Sequence, residues 1–434
     1  MKPIRATALG MIAACAASGA AGGAAAQTPD HQAELRALMA RPAVTRAFRA
    51  IEELEPRSMA DLITLTQVPA PPFKEAERAK VYQGWLREAG ADSVFMDEAG
   101  NVIAVRRGSP GGRTVALGGH LDTVFPEGTD VTVKQRGDTL FAPGVGDDTR
   151  GLIVVLTVLR VMEQAGLRTR DDVWFVGVVG EEGLGDLRGM KHLFREGAQP
   201  IATWIEVDGG GLTETVNRGL GSYRYRVRFR GPGGHSWGAF GAANPVHALG
   251  RAVTHFVTSA EPITREGART SFNVGTLAGG TSVNSIPFEA VREVDMRSEE
   301  PASLDRIDSI FKVAMQRGLQ DENAARRRGP ELAVDIERVG NRPSGTLADD
   351  HPLVQRALAS SDILAGFSGL GISSTNSNIP IARGIPAVTI GRGGIGGANH
   401  SPDEWWMNRN GHLAIQRALL LLLAEAGLAG TALE

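Results

Sequence analysis

Five segments of this 434-residue chain place imidazole or carboxylate groups in or beside tight, mostly glycine-flanked turns. They are Gly119-His120-Leu121-Asp122-Thr123, Gly146-Asp147-Asp148-Thr149-Arg150-Gly151, Gly180-Glu181-Glu182-Gly183, Val207-Asp208-Gly209-Gly210 and Asn399-His400-Ser401-Pro402. Glycines beside polar groups let the backbone approach a ligand closely. Imidazole combined with carboxylate suits zinc, with cobalt or manganese as substitutes. Each segment alone has a plainer reading. A His-x-Asp pair such as His120 and Asp122 is commonly a surface hydrogen bond. Adjacent acids such as Asp147-Asp148 are commonly a solvated turn or a helix start. Glu181-Glu182, however, follows an apolar run at residues 173–179, and acids that end a buried strand are costly without a partner.

The elements that must position these groups follow from the hydrophobic pattern. Residues 102–105, 114–117, 173–179 and 203–207 read as strands, and residues 152–162, apolar on nearly all sides, as a buried helix. Residues 31–90 read as mostly helical. Strands alternating with helices predict an α/β sheet covered on both faces. Ligands of such sheets bind beyond the carboxyl ends of the strands. Near Leu220 the pattern changes. Residues 223–229 alternate polar with apolar, as in a strand exposed on one face. A helix at 245–257, strands at 270–277 and 290–296, a helix at 303–317 and a strand at 331–336 complete the order βαββαβ, a ferredoxin-like arrangement. The buried pattern then returns, with a helix at 352–361, a strand at 387–390 and a helix at 410–426. The expected organisation is a catalytic domain in two parts, residues 27–217 and 342–434, with a smaller α+β domain inserted at 218–341.

Residues 1–26 read as an export signal. Lys2 and Arg5 precede a small, apolar stretch, and Ala24-Ala25-Ala26 offers a cleavage site before Gln27. Ile12-Ala13-Ala14-Cys15 also resembles a lipoprotein box, which would anchor the chain to a membrane through lipid. Cys15 is the single cysteine, so no disulfide forms within the chain. If cleavage follows Ala26, metal ligands must be histidines and carboxylates. No later run has the roughly 18 apolar residues of a membrane span. The net charge of -3 gives no reason to expect a nucleic-acid partner.

Taken together and in order, the five segments resemble the co-catalytic di-zinc exopeptidases, among them glutamate carboxypeptidase, acetylornithine deacetylase, succinyl-diaminopimelate desuccinylase, aminoacylase and peptidase T. The resemblance spans nearly the whole chain after the signal, including the insert. It implies that His120 and Asp208 hold one zinc, that Glu182 and His400 hold the other, and that Asp147 bridges them. Glu206 rivals Asp208, but Val207-Asp208-Gly209-Gly210-Gly211 looks like peptidase T. The resemblance makes Glu181 the general base for the attacking water, and makes Asp122 the group that orients the His120 imidazole. Asp148 shapes the turn.

Within the insert, Gly233-Gly234-His235-Ser236 matches a loop whose histidine reaches the active site of a neighbouring subunit and steadies the oxyanion. The turn from Gly279 to Pro287 matches a substrate-binding turn with Asn284 as the contact. Asp295-Met296-Arg297 matches an Asp-x-Arg whose arginine holds a substrate carboxylate. One departure stands out: Asn376, in Ser373-Ser374-Thr375-Asn376, occupies a position that is acidic in many relatives. His31, His192, His247, His255, His351 and His412 lie outside the motifs and read as surface or helix residues.

The implied protein is a metal-dependent hydrolase of terminal amide bonds in small peptides, working as a homodimer with two zinc ions per subunit. Two alternatives remain at this level. An N-acyl-amino-acid deacylase would use the same site. A non-catalytic zinc-dependent binding protein would need the ligands but not Glu181.

Overall fold

The structure is a computed structural model that describes residues 30–429. The expected signal segment at 1–26, with Cys15, lies outside the described residues. A nine-stranded mixed sheet organises the larger part of the chain. Its central neighbours are Asp172–Val178, Thr114–His120, Thr203–Val207 and Ala387–Ile390, which run parallel to one another. These strands are buried on both faces, which explains why they read as continuous apolar runs rather than alternating ones. Alternate residues serve different cores. Val173 and Phe175 pack with helices Gly151–Gln164 and His412–Ala426, whereas Trp174, Val176 and Val178 pack with Met190, Leu193 and Trp204. Helix Gly151–Gln164 is buried without interruption from Gly151 to Met162.

Gly221–Arg342 spans a second sheet with its own apolar core. Its four antiparallel strands lie in the order Thr270–Gly279, Glu289–Ser298, Gly221–Arg230, Ala333–Arg342. Numbered along the insert, that order is 2-3-1-4, the ferredoxin-like pattern. Tyr225, Val227 and Phe229 point into the core with residues of helices Pro245–Ala260 and Pro301–Ala325. The intervening arginines take the other face.

Gly221–Arg230, which contains residues 223–229, is a central strand with one face on the core, as its alternation predicts, and the free edges of this sheet are Thr270–Gly279 and Ala333–Arg342. One feature differs from the sequence expectation. A third sheet of three-residue strands, Ile395–Gly397, Trp405–Met407, Thr139–Phe141 and Lys134–Arg136, was not anticipated. Runs this short carry no periodic signal.

Candidate metal centre and active site

Parallel strands that run side by side deliver their carboxyl ends to one place. His120 is the last residue of Thr114–His120, Glu181 and Glu182 follow Asp172–Val178, and Asp208 follows Thr203–Val207. Asp147 enters from the turn before helix Gly151–Gln164. His400 enters from the loop between the short strands Ile395–Gly397 and Trp405–Met407. It has φ 63°, the left-handed region that a non-glycine residue adopts at a cost.

Asp147 stands at the centre. His120 Nε2 is 3.2 Å from its Oδ1, and His400 Nε2 is 3.3 Å from its Oδ2. One carboxylate thus turns one oxygen to each histidine. His400 Nε2 is also 3.1 Å from Glu182 Oε1. Ligand atoms of His120, Asp147 and Asp208 lie within 4.8 Å of one another, as do those of Asp147, Glu182 and His400. Glu206 does not join either group. It is buried, and its carboxylate accepts the Trp204 indole N–H at 2.7 Å and the Asn376 amide at 2.9 Å. Asn376, the residue that departs from the acid of many relatives, therefore supplies a donor that a second carboxylate could not.

The charge balance points to cations. Burial and the charge of Asp147 push Asp208 up to about 7. Burial holds Asp148 well above the carboxylate range, and its Oδ1 has no hydrogen-bond partner among the described residues. Bonds to Asp147 and Glu182 raise His400 to about 10. Burial lowers His120, but the bond to Asp147 and the surrounding acids outweigh it, leaving the imidazole well above its ordinary value. Two imidazoles and three carboxylates gathered in overlapping clusters, with buried negative charge in excess, fit divalent cations as ligands.

The supporting contacts show what sequence reasoning missed. The Asp122 carboxylate was expected to orient His120. It lies 3.7 Å from Nδ1, and the imidazole instead meets the Asp122 carbonyl at 3.0 Å. The carboxylate accepts the amide N–H groups of Glu181 at 3.0 Å and Glu182 at 2.8 Å. It therefore fixes the backbone that carries the proposed base and one proposed ligand. Glu404 does the same for Asp147, accepting from the amides of Gly144, Gly146 and Asp147 at 2.8, 2.9 and 2.9 Å. Arg342 Nη1 donates to Glu181 Oε1 at 3.0 Å, and its Nη2 donates to the Glu181 carbonyl. Burial raises Glu181 while Arg342 draws it back down. The Arg392 guanidinium lies 3.6 Å from Asp147 and 3.5 Å from Asp208, a buried counter-charge. The only sequence signal for these residues was position: Glu404 four residues after His400, Arg392 two after an apolar strand.

A cavity of ≈400 Å³ opens over the cluster, lined by Asp147, Glu181, Glu182, Asp208 and His400 and, from the insert, Arg224, Arg297 and Arg342. Arg297 is thus brought to the site. His235 and Asn284 are not. Both are exposed: His235 lies on a two-stranded ribbon in which Gly234–His235 pairs with Ser285–Ile286, and Asn284 immediately precedes the second strand.

The sequence and fold have known counterparts. Residues 116–424 match the model of peptidase family M20/M25/M40. The chain belongs to that family. It is a hydrolase. It is 27% identical to carboxypeptidase G2 of Pseudomonas sp. over 296 residues, 66% of each chain. It is 23% identical to succinyl-diaminopimelate desuccinylase of Corynebacterium glutamicum, over 80% of this chain and 92% of that one. In fold it resembles aminopeptidase PepT of Bacillus cereus, with a TM-score of 0.66 at 21% identity, over 86% of this chain and 98% of that one.

Proposed function

We propose that this hydrolase removes the terminal residue of small peptides or deacylates N-acyl amino acids. In this reading His120, Asp147 and Asp208 hold one divalent cation, and Asp147, Glu182 and His400 hold another. The observation that carries it is Asp147, which turns one oxygen toward each of two histidines. Zinc is the metal this donor set suits best, with cobalt or manganese as substitutes. Such cations supply Lewis acidity, polarising the scissile carbonyl and making water acidic enough to attack near neutral pH.

The chain's own residues do the rest. Glu181 takes the proton from the attacking water and returns it to the leaving nitrogen. Arg342 and the two amides bonded to Asp122 keep that carboxylate in place. Arg297 presents its guanidinium to a substrate carboxylate. The test is a screen of metal-loaded protein against free, blocked and acylated dipeptides, with and without chelator. Chelator-sensitive release of amino acids is expected. A protein that binds metal and hydrolyses none of these substrates would instead be a binding protein.

His235 and its ribbon lie outside the cavity of their own chain, beside the exposed side chains of Trp237, Phe240, Val283 and Phe288. Such a cluster of exposed apolar groups suits a subunit contact. The reading is a homodimer in which His235 and Asn284 serve the partner's site. Mixing inactive His235→Ala with inactive Glu181→Gln tests it: a mixed dimer has one site with both residues intact, so activity returns. If the subunits exchange and activity stays absent, the shared site is wrong. Export belongs to the same proposal, and the mature chain should begin near Gln27 by mass analysis. A lipid-modified Cys15 would indicate anchoring, and an intact Met1 would contradict both.

A further inference from the structure

The inserted sheet turns one face away from its helices, and that face carries charge in two different ways. Far from the cavity, each arginine has its own acid. Arg230 meets Glu289 at 3.0 Å, Arg228 meets Glu337 at 2.9 Å, and Arg226 meets Glu293 at 2.6 Å. At the cavity end this balance breaks. Register places Arg224 opposite Asp295, and places Arg297 and Arg342 on either side of Ser222, all on the same face. Arg224 and Arg297 share the single carboxylate of Asp295, through Nε atoms at 3.0 and 2.7 Å. Arg342 is committed to Glu181.

The shared acid leaves donors free. Arg224 Nη1 donates to the Gly183 carbonyl, but among the described residues its Nη2 has no hydrogen-bond partner, and neither has either Nη of Arg297. Burial and the neighbouring guanidiniums of Arg342 and Arg297 hold Arg224 below its ordinary value. Both side chains line the same cavity as Asp147, Glu182 and Asp208. An arginine fork matches a carboxylate with two parallel hydrogen bonds, which a neutral amide cannot reproduce.

We propose that Arg224 and Arg297 form a two-guanidinium subsite for a dicarboxylate residue, so that the amino acid on the leaving side of the scissile bond is glutamate or aspartate with a free α-carboxylate. Arg297 takes the α-carboxylate and Arg224 the side-chain carboxylate. This inference rests on the hydrolase reading above and deepens it: it names the leaving residue and sets the direction of cleavage at the carboxyl terminus.

The competing role for Arg224 is structural, a tie between the insert and Gly183. Matched substrates separate the two. The metal-loaded full chain is assayed on Ala-Glu and Ala-Gln, and on N-acetyl-glutamate and N-acetyl-glutamine. The expected kcat/KM for the acidic member of each pair exceeds that for the amide by at least about tenfold, as a charge-assisted pair requires. In Arg224→Gln the acidic substrates should lose at least about tenfold more than the amides do, the gain of a paired charge being absent. Arg224→Lys keeps the charge but not the fork, so it should retain part of the preference. Equal rates on the wild type, or an equal loss on both substrates in Arg224→Gln and Arg224→Lys, would overturn the subsite while leaving the hydrolase reading intact. If no substrate is hydrolysed in a metal-dependent way, that reading falls and the subsite with it.

Discussion

The two main sheets of this protein handle buried charge in opposite ways. The inserted sheet puts its charged residues on an open face, where most are matched one to one. The central strands of the nine-stranded sheet are mostly apolar, Glu206 excepted, and charges gather at their carboxyl ends, where acids outnumber the cations that could balance them. Asp147, Asp148, Glu181, Glu182, Asp208 and Glu404 meet there around Arg342 and Arg392. Paired charge on a solvated face contributes little and can be lost or gained cheaply. Unbalanced charge in a buried cluster is costly and persists where a ligand completes it. The difference marks the carboxyl ends of the nine-stranded sheet as the candidate functional region.

The largest effect should come from Glu181. Glu181→Gln keeps the shape and the contact with Arg342 but cannot accept a proton, so kcat should fall by about 10²–10⁴-fold with metal content unchanged. Turnover near the wild-type value would remove Glu181 as the base. A smaller loss is expected for Asp122→Ala. It releases the amides of Glu181 and Glu182, and loss of such supporting contacts costs about 10–100-fold in metal affinity or activity. Titration with a competing chelator measures it, and wild-type affinity together with wild-type activity would show that the two amides need no anchor.

The smallest effect sharpens the contrast from the other side. Arg292 is the exception in the insert: it lies on the core face of Glu289–Ser298 between Ala290 and Val294, fully buried, and none of its guanidinium nitrogens has a hydrogen-bond partner among the described residues. Burial lowers it to about 10. It faces no cavity residue of the active site, so it is a cost without a ligand. Arg292→Met should stabilise the fold by about 1–3 kcal/mol in urea unfolding, as apolar replacement of an isolated buried ion does. A loss of stability would mean that the guanidinium has a role in the core.

Much of this arrangement was legible in the sequence, for a physical reason. A strand buried on both faces reads as an apolar run, and the polar residue that ends it marks where the sheet opens to solvent. His120, Glu181, Glu182 and Asp208 were found that way, and the alternation of residues 223–229 exposed the inserted sheet. What was not legible depends on contacts between distant parts of the chain. Nothing local in Arg342 indicates that it grips Glu181, 161 positions away. Nor does the His-x-Asp spacing of His120 and Asp122 show that the aspartate turns toward the Glu181 and Glu182 amides rather than the imidazole. The crowding of Arg224 and Arg297 on one acid depends on strand register, which turn and pattern signals leave open until the strands are paired.

The central claim is that Asp147 joins two cation positions, and counting bound metal tests it most directly. Purified wild type and Asp147→Ala would be loaded with zinc, freed of excess metal and analysed for zinc per chain. The account predicts two ions in the wild type and loss of tight binding at both positions in the variant, because both proposed ligand sets, His120 with Asp147 and Asp208 and Glu182 with Asp147 and His400, contain Asp147. Two tightly held ions in Asp147→Ala, or none in the wild type, would contradict it.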